Sequence, residues 1–232
     1  MYETPPLLTI RRPTRRPSAS QIATLNGVPS AVATDAMDGR GALAGSIRHL
    51  DGGRHLPVSV VGPALTAWSG AADLLALHAC KAFVTPGDVV IAGVDGHQGC
   101  AVFGDALGGM MKNAGVAGVV TDGPIRDTEG LMRLGMPVWC TGSVSSTPYA
   151  NGPGRIGLPV QIGGQRVDTG DLIVADLDGV VAIPFDEIDR VAERCATIMQ
   201  LEQDGEKAVA DGLVMPETYE DLLKSDRINW VE

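Results

Sequence analysis

The chain has 232 residues, of which 44% are hydrophobic and only 4% aromatic, with 30 glycines and 15 prolines. That excludes global disorder and points to one large domain, or one with terminal extensions, cored by Val, Ile, Leu and Ala and broken by many tight turns. A net charge of −10 makes nucleic acid a poor default partner, because an acidic surface repels a phosphate backbone.

Residues 1–17 are rich in Pro and Arg and read as an extended arm. Its "RRPTRRP" run places Arg11, Arg12, Arg15 and Arg16 between prolines, so it is no basic helix. It reads as a solvated or subunit-crossing arm rather than a nucleic-acid contact. Ser18 or Ser20 can cap a short helix through Leu25, and a second helix is expected near Ser30–Met37. "SVVGPALTAW" (Ser59–Trp68) reads as a strand with a bend or bulge at Gly62-Pro63. "GAADLLALHACKAF" (Gly70–Phe83) has helical apolar spacing.

"TPGDVVIAGVDG" (Thr85–Gly96) is a turn feeding a buried strand. "GDALGGMMKNAG" (Gly104–Gly115) is a glycine-bounded helix, with Ala106, Leu107, Met110 and Met111 expected on one face. "GVVTDG" is another short strand, residues 127–135 a short helix, and "PVWCTG" (Pro137–Gly142) the next strand. This alternation argues for a parallel or mixed α/β core. From Leu158 to Pro184 short β runs are split by Gly-Gly, Thr-Gly-Asp and Asp-Gly, which is a meander of hairpins. A long amphipathic helix follows from Phe185, then a last helix in "YEDLLKSDRINWVE" with Trp230 beyond it. The boundaries expected are an arm over 1–17, an α/β domain over 18–185, and a helical extension over 186–232 that packs on a neighbouring subunit.

The four cysteines, at 80, 100, 140 and 195, form no CxxC pair, so reduced thiols and a cytoplasmic protein are expected. No apolar run approaches the ~20 residues of a membrane helix, and no secretory leader is evident. No Walker A motif, GxGxxG, HExxH or GxSxG is present, and the four histidines lack metal spacing. Cys100 lies three residues after His97; a buried inert thiol is favoured over a thiol–imidazole pair. Lys112 stands mid-helix among polar neighbours, so no Schiff base is expected.

Two stretches carry chemistry. At "GDALGG", glycine at a helix entrance lets backbone N–H groups approach an anion, although Asp105 as a simple cap is the plainer reading. In "VVTDGPIRDTEG", Arg126 and Asp127 follow a strand end, where α/β sheets place their ligands. Arginine offers a planar fork for a carboxylate, and aspartate a hard oxygen for Mg²⁺ or Mn²⁺. A helix start, with Asp127 serving the dipole and Arg126 solvated, explains the pair equally well.

"GDALGGMMKNAGVAGVVTDGPIRD" with "LGMPVWCTG" resembles the RraA-like family, which includes the class II 4-hydroxy-4-methyl-2-oxoglutarate / 4-carboxy-4-hydroxy-2-oxoadipate aldolases. "TDAMDG", "TPGDVVIAGVDG" and "VDTGDLIVADLDGVVAIP" extend the resemblance over about residues 30–185. It implies a single-domain layered α/β/β/α sandwich of the swivelling β/β/α type, assembled as a homotrimer or homohexamer. It implies divalent-metal-dependent cleavage of a 4-hydroxy-2-oxo acid to pyruvate and a second 2-oxo acid, with oxaloacetate decarboxylation as a side activity. By the matching motif, Gly104, Asp105, Ala106 and Leu107 bind the substrate carboxylate. Arg126 binds substrate, Asp127 ligates the metal, and Asp105 is a candidate base through water. The family's acidic residue three positions after the metal aspartate is here Gly130. The alternative within the family is a protein-binding regulator of a ribonuclease.

Overall fold

The computed structural model describes residues 6–231. Its elements in chain order are β1 (Leu8–Ile10), α1 (Ala19–Leu25), α2 (Ser30–Ala36), β2 (Arg48–His49), β3 (Val60–Trp68), α3 (Leu75–Ala79), β4 (Val89–Gly93), α4 (Asp105–Asn113), β5 (Gly118–Thr121), α5 (Thr128–Leu134) and β6 (Val138–Cys140). Then come β7 (Gly154–Ile156), β8 (Val160–Ile162), β9 (Gln165–Val167), β10 (Leu172–Ala175), β11 (Val180–Ile183), α6 (Ile188–Ala210) and α7 (Glu217–Leu223).

The central sheet is parallel from β3 through β4 and β5 to β6. Its strands are apolar on both faces because both faces are covered. Alternate side chains sort cleanly between two cores. Leu65, Val90, Ala92, Val119 and Val138 face the buried residues of α3, α4 and α5. Ala64, Val89, Ile91, Val120 and Trp139 face those of the β8–β9 and β10–β11 hairpins. Beyond the second hairpin α2 packs on β10 and β11. The layers are therefore helices, parallel sheet, hairpins and helices, which is the α/β/β/α order.

Local chemistry explains most of the elements. Ser18 caps α1 in a reciprocal capping box with Gln21. The β8–β9 hairpin turns on Gly163 and Gly164, both with positive φ, as a two-residue turn of this hand requires. β3 runs unbroken through Gly62-Pro63, where a bend or bulge was the expectation. Residues 60–63 pair with β10 and residues 64–68 with β4. Glycine is required at 62 because a Cβ there would strike the Gly87 carbonyl.

Two expectations from periodicity are corrected. The Gly70–Phe83 helix shrinks to α3 followed by a 3-10 turn over Cys80–Phe83. Asp73, buried, accounts for the late start: its carboxylate takes the N–H groups of Leu75 (2.8 Å), Asn151 (2.6 Å) and Gly152 (3.0 Å), so the helix begins only after it. On α4 the buried face is Leu107, Gly108 and Met111, whereas Ala106 and Met110 are exposed. Gly108 faces the core because α5 comes too close for a side chain; a Cβ would lie 2.7 Å from Leu131.

Residues 1–5 of the expected arm lie outside the described residues. The rest begins as β1, paired parallel to β7, and continues without regular structure to Pro17. Arg16 pairs with the buried Asp88, and Arg15 reaches Asp186 at 3.4 Å. The chain divides into two units, Met1–Cys195 and Ala196–Glu232. The second holds the remainder of α6 and α7, with Leu201, Val209, Val214, Tyr219 and Trp230 exposed.

Asp73→Ala removes three acceptor contacts and leaves buried N–H groups unpaired. It should lower unfolding stability by on the order of 3 kcal/mol in urea titration. Asp73→Asn keeps one acceptor oxygen and should lose less. An alanine variant within about 0.5 kcal/mol of wild type, the range of ordinary surface changes, would remove Asp73 as the organiser of this corner.

Candidate active site

The carboxyl ends of β4, β5 and β6 emit three loops, and backbone hydrogen bonds lace them together. Asp122, at the exit of β5, accepts from Val94 N–H and Gly96 N–H, each at 2.8 Å. Burial pushes its carboxyl above the usual carboxylate range, and the neighbouring Asp95 adds to this, while the two N–H groups oppose the shift. Val102 N–H donates to Pro124 O and Arg126 N–H to Phe103 O, both at 2.9 Å. On the other side Ile125 N–H donates to Gly142 O, and Val144 N–H to Ile125 O, again at 2.9 Å. Ile125 is fully buried between these neighbours.

The next two residues therefore surface at a defined place. The Arg126 guanidinium donates to Thr147 Oγ1 at 2.8 Å, and its Nε stands 3.3 Å from the Asp127 carboxylate. Asp127 occupies the N-cap position of α5 yet makes no capping hydrogen bond, and its φ of +57° lies in the left-handed region. Asp127 therefore does stand at a helix start, where its charge can serve the dipole, but it does not cap the helix by a hydrogen bond. Aspartate tolerates that backbone better than most residues, but a residue held in this region is a common mark of a working site.

α4 enters from the opposite side. Gly104 is its N-cap and supplies no side-chain acceptor, so the first-turn N–H groups lack intrahelical partners. Asp105 stands at the first helical position and is not the cap. Its side chain lies over Gly130, where a Cβ would meet Asp105 Cβ at 2.6 Å and Cγ at 2.9 Å. Glycine at 130 in place of an acidic residue thus makes room for Asp105. Gly104, Asp105, Ala106, Leu107, Arg126 and Asp127 all line one cavity of about 140 Å³. All six residues expected at the site are brought together.

The same cavity contains two side chains that sequence reading passed over, Thr147 and His78. Lys81 Nζ lies 3.4 Å from His78 Nδ1. Burial, and then this ammonium, push the imidazole pKa down and favour the neutral ring. Helical spacing within Gly70–Phe83 was the available signal for His78, but nothing local ties it to residue 126. Lys112 is elsewhere: its ammonium donates to the Leu134 carbonyl, at the C-terminal end of α5. Cys100 is buried, its thiol pKa raised by that burial, and among the described residues it makes no hydrogen bond with His97.

Among the described residues no group of three His, Cys, Asp or Glu converges on one point. The carboxylates available at the cavity are the half-exposed Asp127 and Asp105, with His78 as a further ring nitrogen. One or two carboxylates with room for water suit a hard ion such as Mg²⁺ or Mn²⁺, which sheds its hydration reluctantly. The bare Cα of Gly104 keeps that room open, since a Cβ would sit 2.5 Å from Asp127 Oδ2 and 3.3 Å from Arg126 Cγ. The residues present therefore fit such an ion, and Asp127 could hold it.

The model of the RraA-like family (Aldolase/RraA) matches residues 30–182. A Halalkalibacterium halodurans protein named "Putative 4-hydroxy-4-methyl-2-oxoglutarate aldolase" is 33% identical over 83% of this chain and 90% of its own length. The crystal structure of Streptomyces coelicolor RraAS2, described as an unusual member of the RNase ES inhibitor RraA protein family, superposes with a TM-score of 0.70. It is 32% identical and covers 83% of this chain and 99% of that one. An uncharacterized Pseudomonas syringae protein has the same fold, with a TM-score of 0.74 at 24% identity over 86% and 92% of the two chains.

Gly104→Ala should push the Asp127 carboxylate aside while costing on the order of 1 kcal/mol at an N-cap position, where glycine is favoured over alanine. Mn²⁺ affinity, read by electron paramagnetic resonance, should fall by roughly tenfold or more, about 1.4 kcal/mol. Unaltered Mn²⁺ binding would show that the glycine does not guard the ion's place.

Proposed function

The chain belongs to the RraA-like family, and from that premise we propose that it is a divalent-metal-dependent lyase. It cleaves a 4-hydroxy-2-oxo di- or tricarboxylic acid to pyruvate and a second 2-oxo acid, with oxaloacetate decarboxylation as a side activity. The observation that carries this reading is the shared cavity of an uncapped Asp127 carboxylate, the Arg126 fork and the open N-terminus of α4. The names of the aldolase relatives support the reaction class.

When bound at Asp127, Mg²⁺ or Mn²⁺ supplies a Lewis acid for the 2-keto oxygen. The protein's own groups do the rest. First-turn N–H groups of α4, over Asp105 to Leu107, hold the C1 carboxylate, where the helix dipole favours an anion. Breaking the C3–C4 bond leaves its electron pair as the enolate of pyruvate, and the negative charge grows on the keto oxygen. Arg126, steadied by Thr147, faces that charge. The C4 hydroxyl proton leaves to a base; Asp105, whose carboxylate accepts no hydrogen bond among the described residues, takes it through water. A proton returned to C3 completes pyruvate.

The likeness to RraAS2 favours a second reading, a protein-binding regulator of a ribonuclease. In that case the Arg126–Asp127 pair would be dispensable. Four buried free cysteines support a cytoplasmic setting. Among the described residues no helix is long and apolar enough to cross a membrane. The exposed apolar side chains over residues 196–231 support a homotrimer or homohexamer. Light scattering should therefore give a mass at least three times 24.1 kDa, and a monomer at micromolar concentration would overturn the assembly.

Pyruvate release from oxaloacetate and from 4-hydroxy-4-methyl-2-oxoglutarate should stop with EDTA and return with Mg²⁺ or Mn²⁺. Asp127→Asn keeps the side-chain shape and the tolerance of a left-handed backbone, so it should fold. Its turnover should drop by several orders of magnitude and its Mn²⁺ binding should be lost. Arg126→Ala should lose on the order of 100-fold or more in rate, about 3 kcal/mol, and still bind Mn²⁺. Near-normal turnover in Asp127→Asn, or full activity of metal-free protein, would overturn the lyase reading.

A further inference from the structure

The Arg126–Asp127 pair also borders a larger space on its other side. A cavity of about 390 Å³ is lined by Arg126, Asp127, Thr128, Ser143, Val144 and Ser145. A neighbouring cavity of about 270 Å³ shares Thr128 and Ser143 with it and reaches Arg48 on β2. The two adjoin at Thr128 and Ser143, and each is lined by one arginine, Arg126 in the first and Arg48 in the second.

Arg48 is held in place by its backbone. β2 is the edge strand beside β6, and Arg48 pairs in register with Cys140. Two residues, Thr141 and Gly142, separate Cys140 from Ser143, a span of about 10 Å if extended. The side chain is anchored by a single bond, Nε donating to Gly45 O at 2.7 Å. Its two terminal nitrogens make no hydrogen bond or ion pair among the described residues, so the fork is free for a ligand. His49, the other basic residue lining this cavity, is buried and committed, with Nε2 3.0 Å from Pro57 O and Nδ1 3.1 Å from Asp51.

We propose that Arg48 binds the distal carboxylate of the substrate and so makes the protein selective for 2-oxo diacids over 2-oxo monoacids. The inference rests on the lyase reading, which puts the reacting end at Arg126 and Asp127. A diacid approaching a chain of net charge −10 needs a fixed cation for each carboxylate. Arg126 and the α4 amides serve the first. Arg48 presents the second as a planar fork, the geometry that grips a carboxylate at two points. The plainer role of a cation on an edge strand is to discourage pairing with another chain. Such a role is indifferent to the ligand's tail.

The test compares ligands of equal length. For turnover these are 4-hydroxy-2-oxoglutarate and 4-hydroxy-2-oxopentanoate; for binding by calorimetry they are 2-oxoglutarate and 2-oxopentanoate. Wild type should prefer the carboxylated member of each pair, and Arg48→Ala should reduce that preference about 10- to 100-fold, mainly through KM. Arg48→Gln keeps the stem without the charge and gives the same reading where the alanine variant fails to fold. A preference that survives both substitutions, or a wild type that prefers the uncharged tail or binds neither ligand, overturns the assignment. A wild type that turns over none of these acids, yet loses its binding preference with Arg48→Ala, sinks the lyase reading and leaves the two-anion site standing.

Discussion

The site depends on the hydrogen bonding of the chain just beyond β5. Residues 124–126 leave the sheet, yet they stay paired, to residues 102–103 on one side and 142–144 on the other. In effect the parallel sheet is prolonged by one irregular step. Ile125, buried between its neighbours, cannot shift without breaking two of those bonds. Two polar residues are thus delivered to the surface by a rigid support, although they belong to a loop. Buried amides tolerate few unpaired alternatives, which is why the loop has one path.

Small residues then set the spacing. Gly104 lets the start of α4 approach Asp127, Gly130 lets Asp105 lie against α5, and Gly108 lets the two helices meet at Leu131. Each lacks a Cβ where one would collide. The result brings two carboxylates, one guanidinium and a helix N-terminus into one small cavity. Within it Arg126 Nε stands 3.3 Å from the Asp127 carboxylate.

The acidic balance of the chain gives the arginines their meaning. In a field that repels anions, a substrate with several carboxylates is admitted only where fixed cations stand. Several arginines are already spent on internal partners: Arg16 on Asp88, Arg40 on Glu187, Arg194 on Asp38. Arg126 and Arg48 differ, since each lines one of two adjoining cavities, and Arg48 is held by a single hydrogen bond from Nε among the described residues.

Sequence alone determined the class and much of the frame. Valine-rich runs between glycines became β4, β5 and β6, Gly163-Gly164 became a hairpin, Ser18 became a cap, and Arg126-Asp127 stood at a strand exit. These signals are local; turn chemistry and side-chain periodicity act over a few residues and are written where they act. The start of α3, the buried face of α4, and the joining of His78, Thr147 and Asp105 to Arg126 were decided by tertiary structure. Asp73 draws its N–H donors from Asn151 and Gly152, far along the chain, and Gly108 turns inward only because α5 arrives. Such contacts are made when strands pair across long separations, so the energies that select them have no trace in the neighbouring residues.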